Sequence, residues 1–194
     1  LHIPRCGGTS ILHDLRELGV RVFVANEKTN WKEPTAEVVF GHFLVKEQLK
    51  CYSDYNLVTI VRDPIEMIIS NYRQFKLKLK NNFKLREDVF YGRITFEEYA
   101  FHPDMTNMIT SQFLLDVDFD EFDYIGLYDE LDYSYQKILN VFNIKYINES
   151  LKNLNSSKKV ANPNISRRVM DKLKQVNKDD YEFYNFAIKK NKME

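Results

Sequence analysis

The stretch Leu1-His2-Ile3-Pro4-Arg5-Cys6-Gly7-Gly8-Thr9-Ser10 governs how the rest of the chain is read. Leu1-His2-Ile3 reads as the tail of a strand and Pro4 to Gly8 as a tight loop. From Thr9 to Leu18, Ile11, Leu12, Leu15 and Leu18 recur at helical spacing, with Gly19 as the stop. Strand, glycine loop and helix in this order suit an anion. The glycines let the backbone approach it, the helix start offers unpaired N–H groups, and Thr9 and Ser10 add hydroxyl donors. Two glycines before a helix are otherwise a plain turn, so the reading depends on their company. The loop is not a Walker A motif, because Thr9 stands where that motif carries lysine; the nearby cation is Arg5, ahead of the glycines.

Working outward, Val20 to Val24 and Glu37 to His42 read as short strands, and Asn56 to Val61 as a nearly continuous apolar run suited to burial on both faces of a parallel sheet. This run ends at Arg62-Asp63-Pro64. Asp63 is a good N-cap, Pro64 a good first helical residue, and Glu66 completes a capping box for a helix running to about Lys80. Asp104 to Leu115 reads as helical, Tyr124 to Leu127 as a strand, Glu130 to Phe142 as a helix, and Ser166 to Lys190 as one or two helices. The strand-helix alternation predicts an α/β fold: a single domain over residues 1–194 with a mainly parallel sheet flanked by helices. In such a sheet ligands collect beyond the carboxyl ends of the strands, so Pro4 to Ser10, Gly41-His42 and Arg62-Asp63-Pro64 are expected to converge.

The chain has 194 residues, with 28 basic and 28 acidic side chains. A net charge of zero argues against a dedicated nucleic-acid binder and requires that any anion be held by a local cluster. Two cysteines, Cys6 and Cys51, are too few for a disulfide framework and lack zinc spacing. No stretch approaches the roughly 18 to 20 apolar residues of a membrane span. The Asn-x-Ser triplets at Asn148, Asn155 and Asn164 are expected by chance in an asparagine-rich chain. The wealth of Lys, Asn and Ile leans the reading towards a bacterial cytoplasmic protein, with the Golgi lumen as the alternative if an anchor precedes Leu1.

His2 to Ser10 resembles the 5′-phosphosulfate loop of sulfotransferases that use 3′-phosphoadenosine 5′-phosphosulfate (PAPS), in the carbohydrate branch that includes the heparan sulfate 2-O-sulfotransferases. Val61 to Glu66, followed by Ser70-Asn71-Tyr72, is similar to that family's 3′-phosphate element, in which an arginine and a serine eight positions apart grip the phosphate, as Arg62 and Ser70 are spaced. Phe122 to Leu131 and Asn177 to Tyr184 resemble the late strand and the C-terminal helix. The resemblance implies a P-loop-like nucleotide-binding fold, PAPS as co-substrate with PAP as product, a hydroxyl acceptor on a carbohydrate, and no metal. It implies nucleotide contacts from Arg5, Cys6, Gly7, Gly8, Thr9, Ser10, Arg62 and Ser70, with Ser157 and Lys158 in a closing loop. Arg5 stands where the family usually has lysine, so it is expected to stabilise the leaving phosphate as a fixed cation. His42 is the candidate base, matching a Gly-His segment and an imidazole's ordinary pKa; Glu47 and Asp14 are the alternatives.

Other residues carry more than one reading. His2, His13 and His102 show no ligand spacing and are expected to be structural or surface residues. The run Arg73, Lys76, Lys78, Lys80, Lys84 and Arg86, without an acid, suits either an anionic sugar chain or the solvated end of a helix. A P-loop kinase-like enzyme is disfavoured by the missing lysine and by Asp63 being better used as a cap. A catalytically silent nucleotide- or glycan-binding module stays open because of Arg5.

Overall fold

The computed structural model describes residues 1–26, 36–45, 54–77, 83–145, 150–152 and 160–193. Four strands form two parallel pairs. β1 (Val22–Asn26) pairs with β2 (Val38–His42), matching Ala25 to Gly41 and Asn26 to His42. β3 (Val58–Val61) pairs with β4 (Tyr124–Leu127), matching Val61 to Leu127. Between the pairs lies Leu1–Ile3, which is not a regular strand but is hydrogen-bonded on both sides. The His2 N–H donates to the Gly41 carbonyl at 2.8 Å, the Leu1 nitrogen to the Val58 carbonyl at 2.8 Å, and the Thr59 hydroxyl to the Leu1 carbonyl at 3.2 Å. All four residues of β3 are buried, as its unbroken apolar pattern requires.

Glycine at position 41 is a steric requirement, since a β-carbon there would overlap the carbonyl of Ala25 on β1. Gly126 similarly admits Ser134, whose hydroxyl accepts from the Leu127 N–H and donates to the Leu127 carbonyl, both at 2.9 Å. The helices are α1 (Gly8–Glu17), α2 (Pro64–Leu77), α3 (Lys84–Phe90), α4 (Phe96–Ala100), α5 (Met108–Gln112), α6 (Leu131–Val141), α7 (Arg167–Val176) and α8 (Lys178–Asn191). One buried cluster joins Ile3, Ile11 and Leu15 to Ile60, Val61, Ile65, Ile68, Ile125, Leu139 and Phe183. The result is a mixed α/β fold with small parallel sheets flanked by helices.

Two local expectations are corrected. Asp104 to Leu115 is not one helix: a 3-10 turn over Pro103–Met105 precedes Asn107, whose φ of 47° lies in the left-handed region and breaks the periodicity before α5. Glu66 does not close a capping box. Asp63 Oδ1 accepts from the N–H groups of Ile65 and Glu66, both at 3.0 Å, while the Glu66 carboxylate turns to Arg62 at 3.3 Å. In the basic run from Arg73 to Arg86, Lys78 and Lys80 lie outside the described residues, and Lys84 pairs with Asp88, just past the run, at 3.1 Å.

The starts of α5 and α8 cap each other. Asp180 accepts from the Ile109 N–H at 3.0 Å and from the Thr110 N–H and hydroxyl at 2.8 Å each, while Asn107 Oδ1 accepts from Asp179 N–H at 3.2 Å and Asn107 Nδ2 donates to the Asp179 carboxylate at 2.7 Å. Asp180 is only 1% exposed, so water cannot replace it. Replacing Asp180 with Ala should lower unfolding free energy by about 2 to 3 kcal/mol, because charged, buried hydrogen bonds are lost and their donors stranded. Urea unfolding at neutral pH checks this.

Candidate active site

Chain direction places the ends of Leu1–Ile3, β2, β3 and β4 at one edge of the layer. The turn out of the first segment is sharp. Arg5 has φ 65° and Gly7 φ 81°, both in the left-handed region that non-glycine residues rarely enter, so Arg5 is held at a cost of about 1 kcal/mol. Gly7 is also pressed by Leu131, whose methyls would lie 2.9 Å from a β-carbon. Gly7 opens α1, where no side chain caps the end and no acid occupies the first turn, so the partial positive charge of the helix start is not answered there.

This turn walls a cavity of about 380 Å³ lined by Arg5, Gly7, Gly8, Thr9, Ser10, His2, His42, Tyr128, Leu131, Asp132, Leu151 and Lys152. The loop and His42 thus meet in one space. Arg5 leads out of it: its Nε donates to Ser70 Oγ at 3.1 Å, and Ser70, on α2, is 4% exposed. Arg62 stands behind Tyr128, its guanidinium 4.5 Å from the ring centroid, and its Nε is buried with no hydrogen-bond partner among the described residues. Burial pulls the Arg5 pKa down from its ordinary value, Tyr128 opposes this, and the charges of Arg62 and Arg73 act in the same direction as burial. Arginine stays protonated regardless, so these guanidiniums make one electropositive edge.

Asp63 holds that edge in place. One carboxylate oxygen caps α2, and the other accepts from the Tyr181 hydroxyl of α8 at 3.0 Å. Burial, together with the facing carboxylate, pushes the Tyr181 phenol up, so it remains a donor. At the far wall, Lys152 pairs with both oxygens of Glu17 at 3.0 Å, and Asp132 accepts from the Leu151 N–H at 2.8 Å.

The other expected residues fall differently. Cys6 is 1% exposed, its thiol directed to the Pro4 carbonyl at 3.6 Å and absent from the cavity lining, leaving only its backbone to serve a ligand. Arg62 and Ser70 border the cavity through Tyr128 and Arg5 without lining it. Asp14 is buried in α1, away from the cavity, and so is ill placed as a base. Glu47, Ser157 and Lys158 lie outside the described residues. His13 pairs with Glu17 at 3.4 Å and His102 with Asp104 at 3.5 Å, both on the surface. His2, expected to be a structural or surface residue, lines the cavity. Tyr128, which the sequence reading does not single out, also lines the cavity; it immediately follows β4, where the strand-end rule points. Among the described residues no three His, Cys, Asp or Glu side chains gather as metal ligands, and no helix is long and apolar enough to cross a membrane.

Residues 1–187 match the sequence model of the Sulfotransferase family, and the chain belongs to that family. A search of curated proteins returned no match. Membership makes the chain a sulfuryl transferase, which needs an anionic donor site beside an acceptor hydroxyl.

Burial raises the Cys6 thiol to about 12, so at pH 8 it is protonated as well as enclosed. Iodoacetamide at pH 8 should therefore leave the Cys6 peptide unmodified in the native protein and label it only after denaturation, as read by mass spectrometry.

Proposed function

We propose that the chain, as one domain over residues 1–194 with a P-loop-like nucleotide site, transfers the sulfuryl group of PAPS to a hydroxyl, most naturally on a carbohydrate. The observation that carries this reading is the Arg5 Nε to Ser70 Oγ hydrogen bond at 3.1 Å, which ties the glycine loop to the element bearing Arg62. PAPS is anionic at both ends, and a donor of that kind fits two cationic elements joined across one edge. The uncapped start of α1 is the feature its 5′ end would satisfy.

PAPS supplies an activated sulfuryl group on a phosphate leaving group. In this reading the backbone from Gly7 to Ser10 holds the 5′ end and Arg5 offsets charge on the leaving phosphate. Ser70 fixes the Arg5 guanidinium through its Nε at the border of the cavity, and Arg62 faces the 3′-phosphate. Cys6 contributes through its backbone alone, and Ser157 and Lys158 complete the nucleotide enclosure. His42 takes the acceptor proton as the acceptor oxygen attacks sulfur. The acceptor enters on the cavity side of His42, where Tyr128, Asp132 and Lys152 also line the wall and offer polar partners to a sugar's hydroxyls.

PAP at a hundredfold excess over its Kd should stabilise the chain by about 2.7 kcal/mol. It should raise the melting temperature, whereas ATP with Mg²⁺ should not. Arg5→Ala and Arg62→Ala should each weaken PAP binding by about tenfold or more. His42→Ala should bind PAP as the parent does while losing about a hundredfold or more of transfer from radiolabelled PAPS to a panel of sugars, lipids and carrier-bound hydroxyls. Preference for ATP with Mg²⁺, or unchanged transfer by His42→Ala, would refute the corresponding part.

A further inference from the structure

His2 lines the cavity beside His42 and has no part in the proposed reaction. Phe40 and His42, two residues apart on β2, project from the same face of the strand. The ring of His2 stacks across both, with centroids 5.0 Å from Phe40 and 4.5 Å from His42 and interplanar angles of 29° in each case. Phe113 lies 6.1 Å from His42 at a tilt of 40°. His2 is fixed from two further directions. Its N–H donates to the Gly41 carbonyl, and its ring fills the space that any β-carbon on Gly8 would need.

We propose that His2 is a positioning residue for His42: stacked across Phe40 and His42 and seated on Gly8, its ring sets the orientation of the His42 imidazole at the cavity wall. The inference rests on the reading of His42 as the base. The side chains facing His2 are His42 on β2 and Arg5 in the loop. Burial first, then these charges, lower the His2 pKa to about 3, so its ring is neutral at neutral pH. A neutral aromatic face beside an imidazole that becomes cationic suits the charged state without competing for the proton. Fixing one ring torsion of a base is also where small displacements cost rate.

The test uses the whole chain labelled with ¹³C-histidine, whose four histidines can be followed separately, together with turnover on whichever acceptor of the panel is active. In His2→Ala, the His42 ring signal should lose the shift imposed by its stacked neighbour and broaden, and kcat should fall about tenfold while PAP affinity stays within about threefold. Imidazole and the weakly basic thiazole should restore turnover to similar extents, since only a stacked ring is being replaced. An unmoved His42 signal with parental turnover, rescue by imidazole alone, or loss of PAP binding would each overturn the proposal. The last two would make His2 a proton carrier or a support of the Gly8 loop. If His2→Ala does not fold, Phe40→Leu removes the outer ring without touching the cavity lining. The His42 signal should then shift, with a smaller loss of kcat, and an unchanged signal would refute the stack's role. Parental turnover by His42→Ala would remove the base reading itself; an inactive His42→Ala beside an unaffected His2→Ala would remove only this inference.

Discussion

The hydrogen bonds that clamp Leu1–Ile3 between Gly41 of β2 and Val58 of β3 join two otherwise separate strand pairs into one layer. They also fix where the chain must leave that layer. With Ile3 fully buried and α1 beginning at Gly8, only four residues turn the backbone, and two of them, Arg5 and Gly7, adopt left-handed conformations to do so. Strain at a non-glycine residue persists only when its surroundings over-determine it. At Arg5 they do: Ser70 receives the side chain and the strand clamp holds the backbone. The same clamp brings His2 beside His42, so the order of the strands dictates the composition of the site.

Electrostatics complete what the backbone begins. A chain of zero net charge concentrates Arg5, Arg62 and Arg73 close enough that their charges act on one another. Glu66 partly answers Arg62, and the Tyr128 ring supports it from the cavity side. Exposed ion pairs such as Lys152 with Glu17 contribute little individually. The partly buried guanidiniums matter more, because a low-polarity wall strengthens their attraction for an anion.

Side-chain caps carry the precision of the layer to distant helices. Asp63 serves α2 with one oxygen and Tyr181 of α8 with the other. Asp180 and Asn107 lock the start of α8 to α5. Because α8 reaches both the site edge and the interior of the helical layer, its two acidic capping contacts couple the position of Arg62 to the packing of residues far from it in sequence.

Much of this was legible in the chain. The apolar run ending at Arg62, the glycine loop and the Gly-His pair are local patterns, and strand direction alone predicts that their ends converge. Asp63 as a helix cap follows from its place before Pro64. Asn107 was not legible, because its left-handed turn interrupts an apparently continuous helical pattern and is stabilised by Asn177 and Asp179, about seventy positions away. His2 could not be told from a structural histidine, since its partners are Phe40, His42 and the vacant side of Gly8. Cys6 illustrates the reverse: it sits inside the glycine loop, yet its thiol is buried and absent from the cavity lining. Residue type and spacing by themselves determined the α/β alternation, the family and the polar groups offered at each strand end, because these depend on periodicity and backbone chemistry. Only the tertiary structure decided which of those groups share a cavity and which ones merely hold them, because that depends on contacts between segments that local sequence does not encode.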